Sequence, residues 1–369
     1  MVKRVLDKLK CFFVIVFCFC NTLAFTTNDT IIKSSINNKI LYKNNNRSYS
    51  FFAAGHLYGY PSTSVFVSPS LLSSLDLINA NNVDFFVSLG DNFRECDSVN
   101  ILNFKKSFAE KINCPFFITV GNHDVIDYNL YKNNFGNTWF SFFYSNDAFI
   151  FLDSEFDNSQ ISGEQLNFLS AKTEEIAANK SLRNVFVFCH KLLWTINDSI
   201  FQNVYNNTNE VGGYKITNNF SENVFPLLKK MSSDKNLYFI SGDIGVELID
   251  KRWGGQIFYH KLLNSNITYI ANGIGDNYKD VILKINVNEN GNAEFNLFPL
   301  TDYKWDKIEN YGVEFWNNYF KNKPEFSFEN NKSNVISNKE LSLTEKIKNI
   351  IKNKYFFFGL LVGSFIILL

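Results

Sequence analysis

Short apolar runs separated by longer amphipathic segments fill the chain from residue 51 to about residue 300. Seven of these runs are rich in Phe, Val and Ile and end near Gly, Asp or His: FFAAG, VDFFVSLG, CPFFITVG, AFIFLDS, NVFVFCH, LYFISG and ITYIANG. A continuous apolar run with such an end is typical of a strand that is buried on both faces. The pattern therefore predicts seven buried strands.

Helical segments are predicted between these strands. The candidates are SPSLLSSLDLINANN, NILNFKKSFAEKI and SGEQLNFLSAKTEEIAANK, and residues 162–165 in the last of them resemble a helix start. The alternation of strands and helices predicts a layered α/β domain. A final segment, DVILKINVNENGNAEFNLFPL, alternates with period two around NENGN and predicts a closing β-hairpin.

The two ends of the chain differ from this central domain. Residues 1–24 combine a basic start with an apolar run and predict a signal peptide, with an uncleaved signal anchor as the alternative. Residues 25–50 are polar and Asn-rich and predict a loose leader. Residues 301–354 contain one aromatic cluster, YGVEFWNNYF, followed by a Lys/Asn/Glu-rich stretch that we interpret as a stalk. The uncharged residues 355–369 predict a C-terminal membrane anchor, either a transmembrane helix or a signal that is removed and replaced by a lipid anchor.

These ends predict an exported, membrane-anchored protein whose domain lies on the extracytoplasmic side. The chain has 36 basic and 36 acidic residues, and no basic stripe appears in its central part, so nucleic-acid binding has no electrostatic support. Outside the signal only Cys96, Cys114 and Cys189 remain, an odd number without close spacing, which excludes a disulfide framework and a zinc knuckle. Cys189 lies within an apolar run and is expected to be a buried free thiol.

Polar side chains gather where the predicted strands stop, which is the edge at which open α/β sheets bind ligands. They are His56, Asp91, Asn92, Asn122, His123, Asp124, His190 and Asp243. A single histidine of this kind is usually a core or loop residue. Three of the chain's four histidines share this placement, however, and together they indicate a functional site.

The motifs GDN at 90–92 and GNHD at 121–124, with the strand-end His190, resemble the calcineurin-like metallophosphoesterase superfamily. The aromatic residue in CHKLLW is similar to that of purple acid phosphatase-like members. The resemblance covers residues 51–300. It implies a four-layer α/β/β/α sandwich with a metal site at the strand ends.

The resemblance also implies roles for the strand-end residues. Members of this superfamily hold two metal ions and activate a bound water, and for this chain we expect one or two divalent transition metal ions, Mn, Fe or Zn. Asp91 matches the bridging carboxylate, and His56 matches a ligand of the first ion. Asn122 and His190 match ligands of the second ion. His123 matches the residue that contacts phosphate and protonates the leaving oxygen, and Asp124 matches the residue that orients it.

Two motifs depart from the family pattern. The first, Asp-x-His, has Ala54 in place of its aspartate, and the last, Gly-His-x-His, has Asp243 and Gly245 in place of its histidines. Asp243 is either an oxygen ligand of the second ion or a turn-forming residue. The first ion keeps His56 and Asp91, and further ligands could come from Glu247, Asp153 or His260, although His260 is expected to be structural.

Three functions remain open at this point. The first is a metal-dependent phosphoesterase that acts on an extracellular or surface-linked phosphomonoester or phosphodiester. The second is a catalytically degenerate phosphoesterase fold that binds a ligand or partner at the cell surface. The third is a structural surface protein whose strand-end residues do not converge. The segment 195–223 would shape the substrate pocket in the first case.

Overall fold

A computed structural model describes residues 31–42, 48–59, 66–196, 198–205, 208–209, 218–245 and 256–321. The predicted signal peptide, the stalk beyond residue 321, the apolar residues 355–369 and Glu247 all lie outside this part of the chain. Within it, no helix combines the length and the apolar character that crossing a bilayer requires.

The strands of the described residues are β1 Ile31–Lys33, β2 Ile40–Tyr42, β3 Tyr49–Ala54, β4 Phe85–Ser88, β5 Phe116–Ile118, β6 Phe140–Tyr144, β7 Asp147–Leu152, β8 Asn184–Cys189, β9 Asn236–Ser241, β10 Ile257–Lys261, β11 Ile267–Asn272, β12 Val281–Val287 and β13 Ala293–Pro299. The α-helices are α1 Pro69–Ser73, α2 Leu75–Ala80, α3 Ser98–Phe104, α4 Tyr128–Phe135, α5 Gly163–Ala178, α6 Gln202–Tyr205, α7 Phe225–Met231 and α8 Val313–Lys321. Wider π-helical turns extend α3 through Lys105–Ala109 and precede α7 over Phe220–Val224. The three predicted helical segments correspond to α1 with α2, to α3 with its extension, and to α5.

Two sheets organise the domain. The five-stranded sheet has the order β13-β12-β3-β4-β5, and the six-stranded sheet has the order β10-β11-β9-β8-β7-β6. In the first sheet β3, β4 and β5 run parallel, and in the second β7, β8, β9 and β11 do. These are the seven predicted strands, and all seven are confirmed. The predicted closing hairpin is the antiparallel pair of β12 and β13.

The phenylalanines of the parallel strands join the two sheets. Phe51 of β3 stacks on Phe85 of β4 with ring centroids 4.6 Å apart, and Phe149 of β7 stacks on Phe186 of β8 at 5.1 Å. Phe51 also meets Phe186 edge to face at 5.3 Å, so one apolar cluster contains side chains of both sheets. Burying each such ring stabilises the fold by about 1.5–3 kcal/mol.

Alternate residues of the same strands face the helices. Phe52 and Phe86 pack with residues of α1 to α4, whereas Val185 and Val187 pack with residues of α5 and α7. Apolar side chains on both faces explain why these strands read as continuous apolar runs. The predicted α/β fold class is confirmed, while the finer four-layer order stays a prediction.

The ends of the described domain are more ordered than the sequence indicates. Residues 31–42 form the hairpin of β1 and β2, in which Ile36 and Leu41 are buried and the Ser34 hydroxyl donates to the Phe116 carbonyl at 2.6 Å. The prediction of a loose leader is therefore wrong for these residues. At the other end, Trp316 of α8 is buried in the cluster that contains Leu169 of α5, so the chain packs on the domain well beyond residue 300.

The three cysteines of the described chain are all free. Cys189 is fully buried at the end of β8, which confirms the expectation of a buried thiol.

Candidate metal centre

The carboxyl ends of four parallel strands from both sheets meet at one place. His56 and Asp91 follow β3 and β4 of the five-stranded sheet, and His190 and Asp243 follow β8 and β9 of the six-stranded sheet. The His56 N–H donates to the Gly90 carbonyl at 2.9 Å, and the Asp243 N–H donates to the His190 carbonyl at 2.9 Å. Backbone hydrogen bonds thus fix neighbouring strand ends against each other within each sheet.

Asp91 lies between the two histidines. Its Oδ2 is 3.5 Å from His56 Nε2, and its Oδ1 is 3.5 Å from His190 Nε2. Asp243 Oδ1 lies 3.8 Å from the same His190 nitrogen. All four side chains are buried, with at most 3% of their surface exposed. The structure therefore brings together four of the five predicted metal ligands.

The His190 ring has the hydrogen bonding of a metal ligand. Its Nδ1 lies 2.8 Å from the Leu89 carbonyl, which can only accept, so Nδ1 carries the proton. The other ring nitrogen, Nε2, is buried and has no hydrogen-bond partner among the described residues. A buried, unpartnered imidazole nitrogen that faces two carboxylates fits a bound cation, because buried polar atoms are nearly always satisfied.

The electrostatics of the site favour positive charge near His190. Burial alone would lower the pKa of His190, but the carboxylates of Asp91 and Asp243 raise it to about 9. Burial would raise the pKa of Asp91, yet the nearby His190 and His56 hold it below its ordinary value. Burial lowers the pKa of His56 to about 4, so this ring is neutral at physiological pH, which is the form that binds metals.

The donors fit a transition metal by type, since imidazole and carboxylate groups together suit Mn, Fe or Zn. In the part of the chain that the structure describes, no group of three or more His, Cys, Asp or Glu side chains is arranged so that it could hold a metal ion. The donors are arranged instead as neighbouring pairs around Asp91. Asn122, the fifth predicted ligand, has an exposed side chain that makes no hydrogen bond with any described residue, and its role stays a prediction.

Two residues of the site adopt a backbone conformation that side chains rarely tolerate. His56 has φ 57° and Asp91 has φ 58°, both in the left-handed region. Such conformations cost about 1–3 kcal/mol each and cluster at functional sites. Gly121 allows the Asp91 side chain to lie close by, because a Cβ at this position would be 2.2 Å from Asp91 Oδ1.

His123 and Asp124 lie beside this group, but their relationship differs from the one that the family resemblance implies. The His123 N–H donates to Asp91 Oδ1 at 3.2 Å, and its ring Nδ1 donates to the Arg94 carbonyl at 2.5 Å. The Arg94 carbonyl therefore orients the His123 ring, and the expected orienting role of Asp124 is wrong.

The Asp124 carboxylate holds the loop of Asp91 instead. It is fully buried and accepts the backbone N–H groups of Asp91 at 2.8 Å, Asn92 at 2.8 Å and Gly121 at 2.9 Å. The Asn92 side-chain amide donates to it as well, at 2.9 Å. These four hydrogen bonds to one carboxylate fix the backbone turn from which the Asp91 side chain projects. Asp124 is therefore a positioning residue.

The remaining sequence candidates lie outside this group or do not serve it directly. Ala54 is buried in the apolar cluster of Phe52 and Phe86. Asp153 follows β7 and accepts the N–H of Glu155 at 2.8 Å, which is a turn-forming contact. His260 lies within β10, where its ring packs against Phe201 with centroids 5.3 Å apart, in agreement with a structural role.

Tyr58 is a site residue that the sequence did not reveal. Its ring lies 4.3 Å from the His56 ring and 5.0 Å from the His123 ring, measured between centroids. The side chain is fully buried, and its hydroxyl has no hydrogen-bond partner. Burial, followed by the charges of Asp91 and Asp243, raises the pKa of this phenol. No motif includes this position, and only its closeness to His56 along the chain could have drawn attention to it.

Comparisons with known proteins match part of this chain to one family. Residues 66–206 match the family model of calcineurin-like phosphoesterases, a range that contains Asp91, His123 and His190 but neither His56 nor Asp243. The chain is similar to a purple acid phosphatase from yellow lupin (Lupinus luteus) seeds, with 12% identity and a TM-score of 0.49 over 73% of this chain and 56% of that one. It is also similar to a dimetal phosphatase from Danio rerio, with 11% identity and a TM-score of 0.48 over 70% of this chain and 99% of that one. The chain thus spans little more than half the length of the lupin protein, and no curated protein matches it.

Proposed function

Since residues 66–206 match the calcineurin-like phosphoesterase family, we propose that the protein is a metal-dependent phosphoesterase that hydrolyses a phosphomonoester or phosphodiester. The observation that carries this proposal is the convergence of His56, Asp91, His190 and Asp243 from both sheets, with His190 Nε2 buried and unpartnered. These carboxylates and imidazoles face one another at 3.5 Å or more, and a cation between them would offset the cost of burying their charges.

His190, Asp243 and Asp91 would hold the ion, with Asn122 as a further predicted ligand and His56 on the opposite side of Asp91. When bound, a transition metal ion lowers the pKa of a coordinated water and offsets negative charge on phosphoryl oxygens. His123 protonates the leaving-group oxygen through Nε2, because its Nδ1 is already engaged by the Arg94 carbonyl. Its ring is partly exposed, so it can exchange protons with solvent.

We further propose that the site uses one ion or an atypical pair. The ligands missing at Ala54 and Gly245 both belong to the first ion, so the losses spare the second. The predicted signal and anchor support an exported, membrane-anchored enzyme whose substrate is an extracellular or surface-linked phosphoester. The same two losses support one alternative, a surface protein that keeps the fold and the metal but binds a ligand without turnover.

The test combines metal analysis of the purified chain with a panel of phosphomonoesters and phosphodiesters. We expect the wild-type protein to contain Mn, Fe or Zn and to turn over a phosphoester. The variant His190→Ala should lose both the metal and the turnover. His260→Ala is the matched control, since this histidine also lies in the six-stranded sheet but away from the site, and it should leave both unchanged. Metal without turnover would favour the binding protein, and protein that takes up no transition metal would overturn both.

A further inference from the structure

The first-ion side of the centre is occupied by other polar groups of this chain. Ala54 and Gly245 leave only His56 and Asp91 as ligands there. The space beside His56 is taken by Tyr58, whose ring packs between the His56 and His123 rings at 4.3 Å and 5.0 Å. The Tyr58 N–H donates to the Asp91 carbonyl at 3.3 Å, so backbone and ring are both fixed.

The Tyr58 hydroxyl lies inside the site without a hydrogen-bond partner among the described residues. The residue is fully buried, and its hydroxyl makes no hydrogen bond with any part of the described chain. A buried hydroxyl left without a partner costs about 1–3 kcal/mol. A rigid donor of this kind, next to the histidine that serves the leaving group, indicates a ligand oxygen that it binds.

Arg94 adds a positive charge on the same side. Its carbonyl accepts the His123 Nδ1–H at 2.5 Å, so Arg94 lies beside the ring against which Tyr58 packs. The guanidinium forms no hydrogen bond or ion pair with the described residues, and the side chain is only partly exposed. Guanidinium groups are well suited to phosphate, which they bind through two parallel N–H groups.

We propose that the Tyr58 hydroxyl and the Arg94 guanidinium bind the phosphoryl oxygens of the substrate on the side where the first ion lacks ligands. This inference rests on the proposed phosphoesterase function and specifies how a site with one ion can hold a phosphoester. The two groups would replace part of the charge and the hydrogen bonding that a second ion would supply, and Asp91, His190 and Asp243 would hold the remaining ion.

The test measures the binding of inorganic phosphate to the metal-loaded protein by titration calorimetry, beside its metal content. We expect Tyr58→Phe to weaken phosphate binding about 10- to 100-fold, the effect of losing one hydrogen bond to a charged oxygen. Arg94→Gln should weaken it at least as much, and Arg94→Lys should weaken it less. Metal content should stay at the wild-type value in all three variants, because none of them removes a proposed ligand.

Tyr269→Phe is the matched control. Tyr269 is also buried, in β11, but it packs on Trp194 rather than on the site histidines, so phosphate binding should not change. Unchanged phosphate affinity in Tyr58→Phe, or loss of the metal from it, would overturn the inference while leaving the phosphoesterase proposal intact. Wild-type protein that binds neither metal nor phosphate would overturn both.

Discussion

The Asp124 carboxylate accepts the backbone N–H of Asp91 at 2.8 Å, across 33 positions of sequence. Through this bond and two bonds from Asn92, a residue of one strand-end loop fixes the conformation of the neighbouring loop, and a further bond from the Gly121 N–H holds its own loop. The bonds offset the cost of the left-handed backbone at Asp91, whose φ is 58°. Asp124 therefore acts on the candidate metal centre through the backbone of Asp91, with no hydrogen bond between its carboxylate and the His123 ring.

This relationship predicts the effect of Asp124→Asn. The amide would place an NH2 group against N–H donors of Asp91 or Asn92, and we expect the free energy of unfolding to fall by about 2–4 kcal/mol. Metal content should fall with it, because Asp91 loses its fixed position. Urea unfolding and metal analysis measure the two effects.

Asp127→Asn is the control for this change. Asp127 caps α4 by accepting the Leu130 N–H at 2.9 Å, and asparagine caps helices about as well as aspartate. The free energy of unfolding of Asp127→Asn should stay within about 0.5 kcal/mol of the wild-type value. Equal losses of stability in Asp124→Asn and Asp127→Asn would show that the buried hydrogen bonds of Asp124 contribute no more to the fold than a helix cap does.

Gly121→Ala should remove the metal without unfolding the chain. The added Cβ would lie 2.2 Å from Asp91 Oδ1 and 2.5 Å from the Asp91 nitrogen, so the bridging carboxylate has to move. We expect a loss of about 2–3 kcal/mol in stability and little bound metal. Gly163→Ala, where no atom lies within 4 Å of the new Cβ but φ is 53°, should cost about 1 kcal/mol and keep the metal.

Restoring the family's missing ligands should fail to create a two-ion site. In Ala54→Asp/Gly245→His, the new histidine must adopt φ near 107°, and its Cβ would lie 2.8 Å from the Gly273 carbonyl oxygen. The new aspartate would enter an apolar cluster. We expect a destabilised protein with no additional ion per chain. Metal analysis that finds one ion more than in the wild type would contradict this prediction.

Trp316→Ala tests whether α8 is part of the domain. The Trp316 side chain is 1% exposed, and its removal should lower the free energy of unfolding by about 3–5 kcal/mol. Phe315 of the same helix is 37% exposed, so Phe315→Ala should cost clearly less. Similar small losses in both variants would mean that this segment contributes little to the fold.

The sequence predicted the strands that are buried on both faces and missed β1, β2, β6 and β10. Phe51 and Phe52 of β3 face opposite apolar clusters, so their run is continuous and easily recognised. β6 and β10 are edge strands with partly exposed side chains, and β1 and β2 are only three residues long. Their patterns carry too few apolar positions to stand out from the Asn-rich surroundings.

The candidate site was predictable where it depends on strand ends and unpredictable where it depends on loops. His56, Asp91, His190 and Asp243 converge because parallel strands bring their carboxyl ends to one edge. The roles of Tyr58 and Asp124 depend on how the loops turn after those ends. That geometry is set by contacts distant in sequence, such as those of Asp124 with the turn of Asp91.

The bond between His190 Nδ1 and the Leu89 carbonyl, 2.8 Å long, crosses from the six-stranded to the five-stranded sheet. Apolar side chains, many of them phenylalanine rings, fill most of the space between the sheets, and only scattered hydrogen bonds such as that of the Tyr49 hydroxyl with Asp147, at 2.6 Å, also cross it. An ion shared by Asp91 and His190 would therefore act as a mechanical crosslink between the sheets. Thermal stability would then rise with metal loading, and the edge that carries the candidate site would also hold the two sheets together.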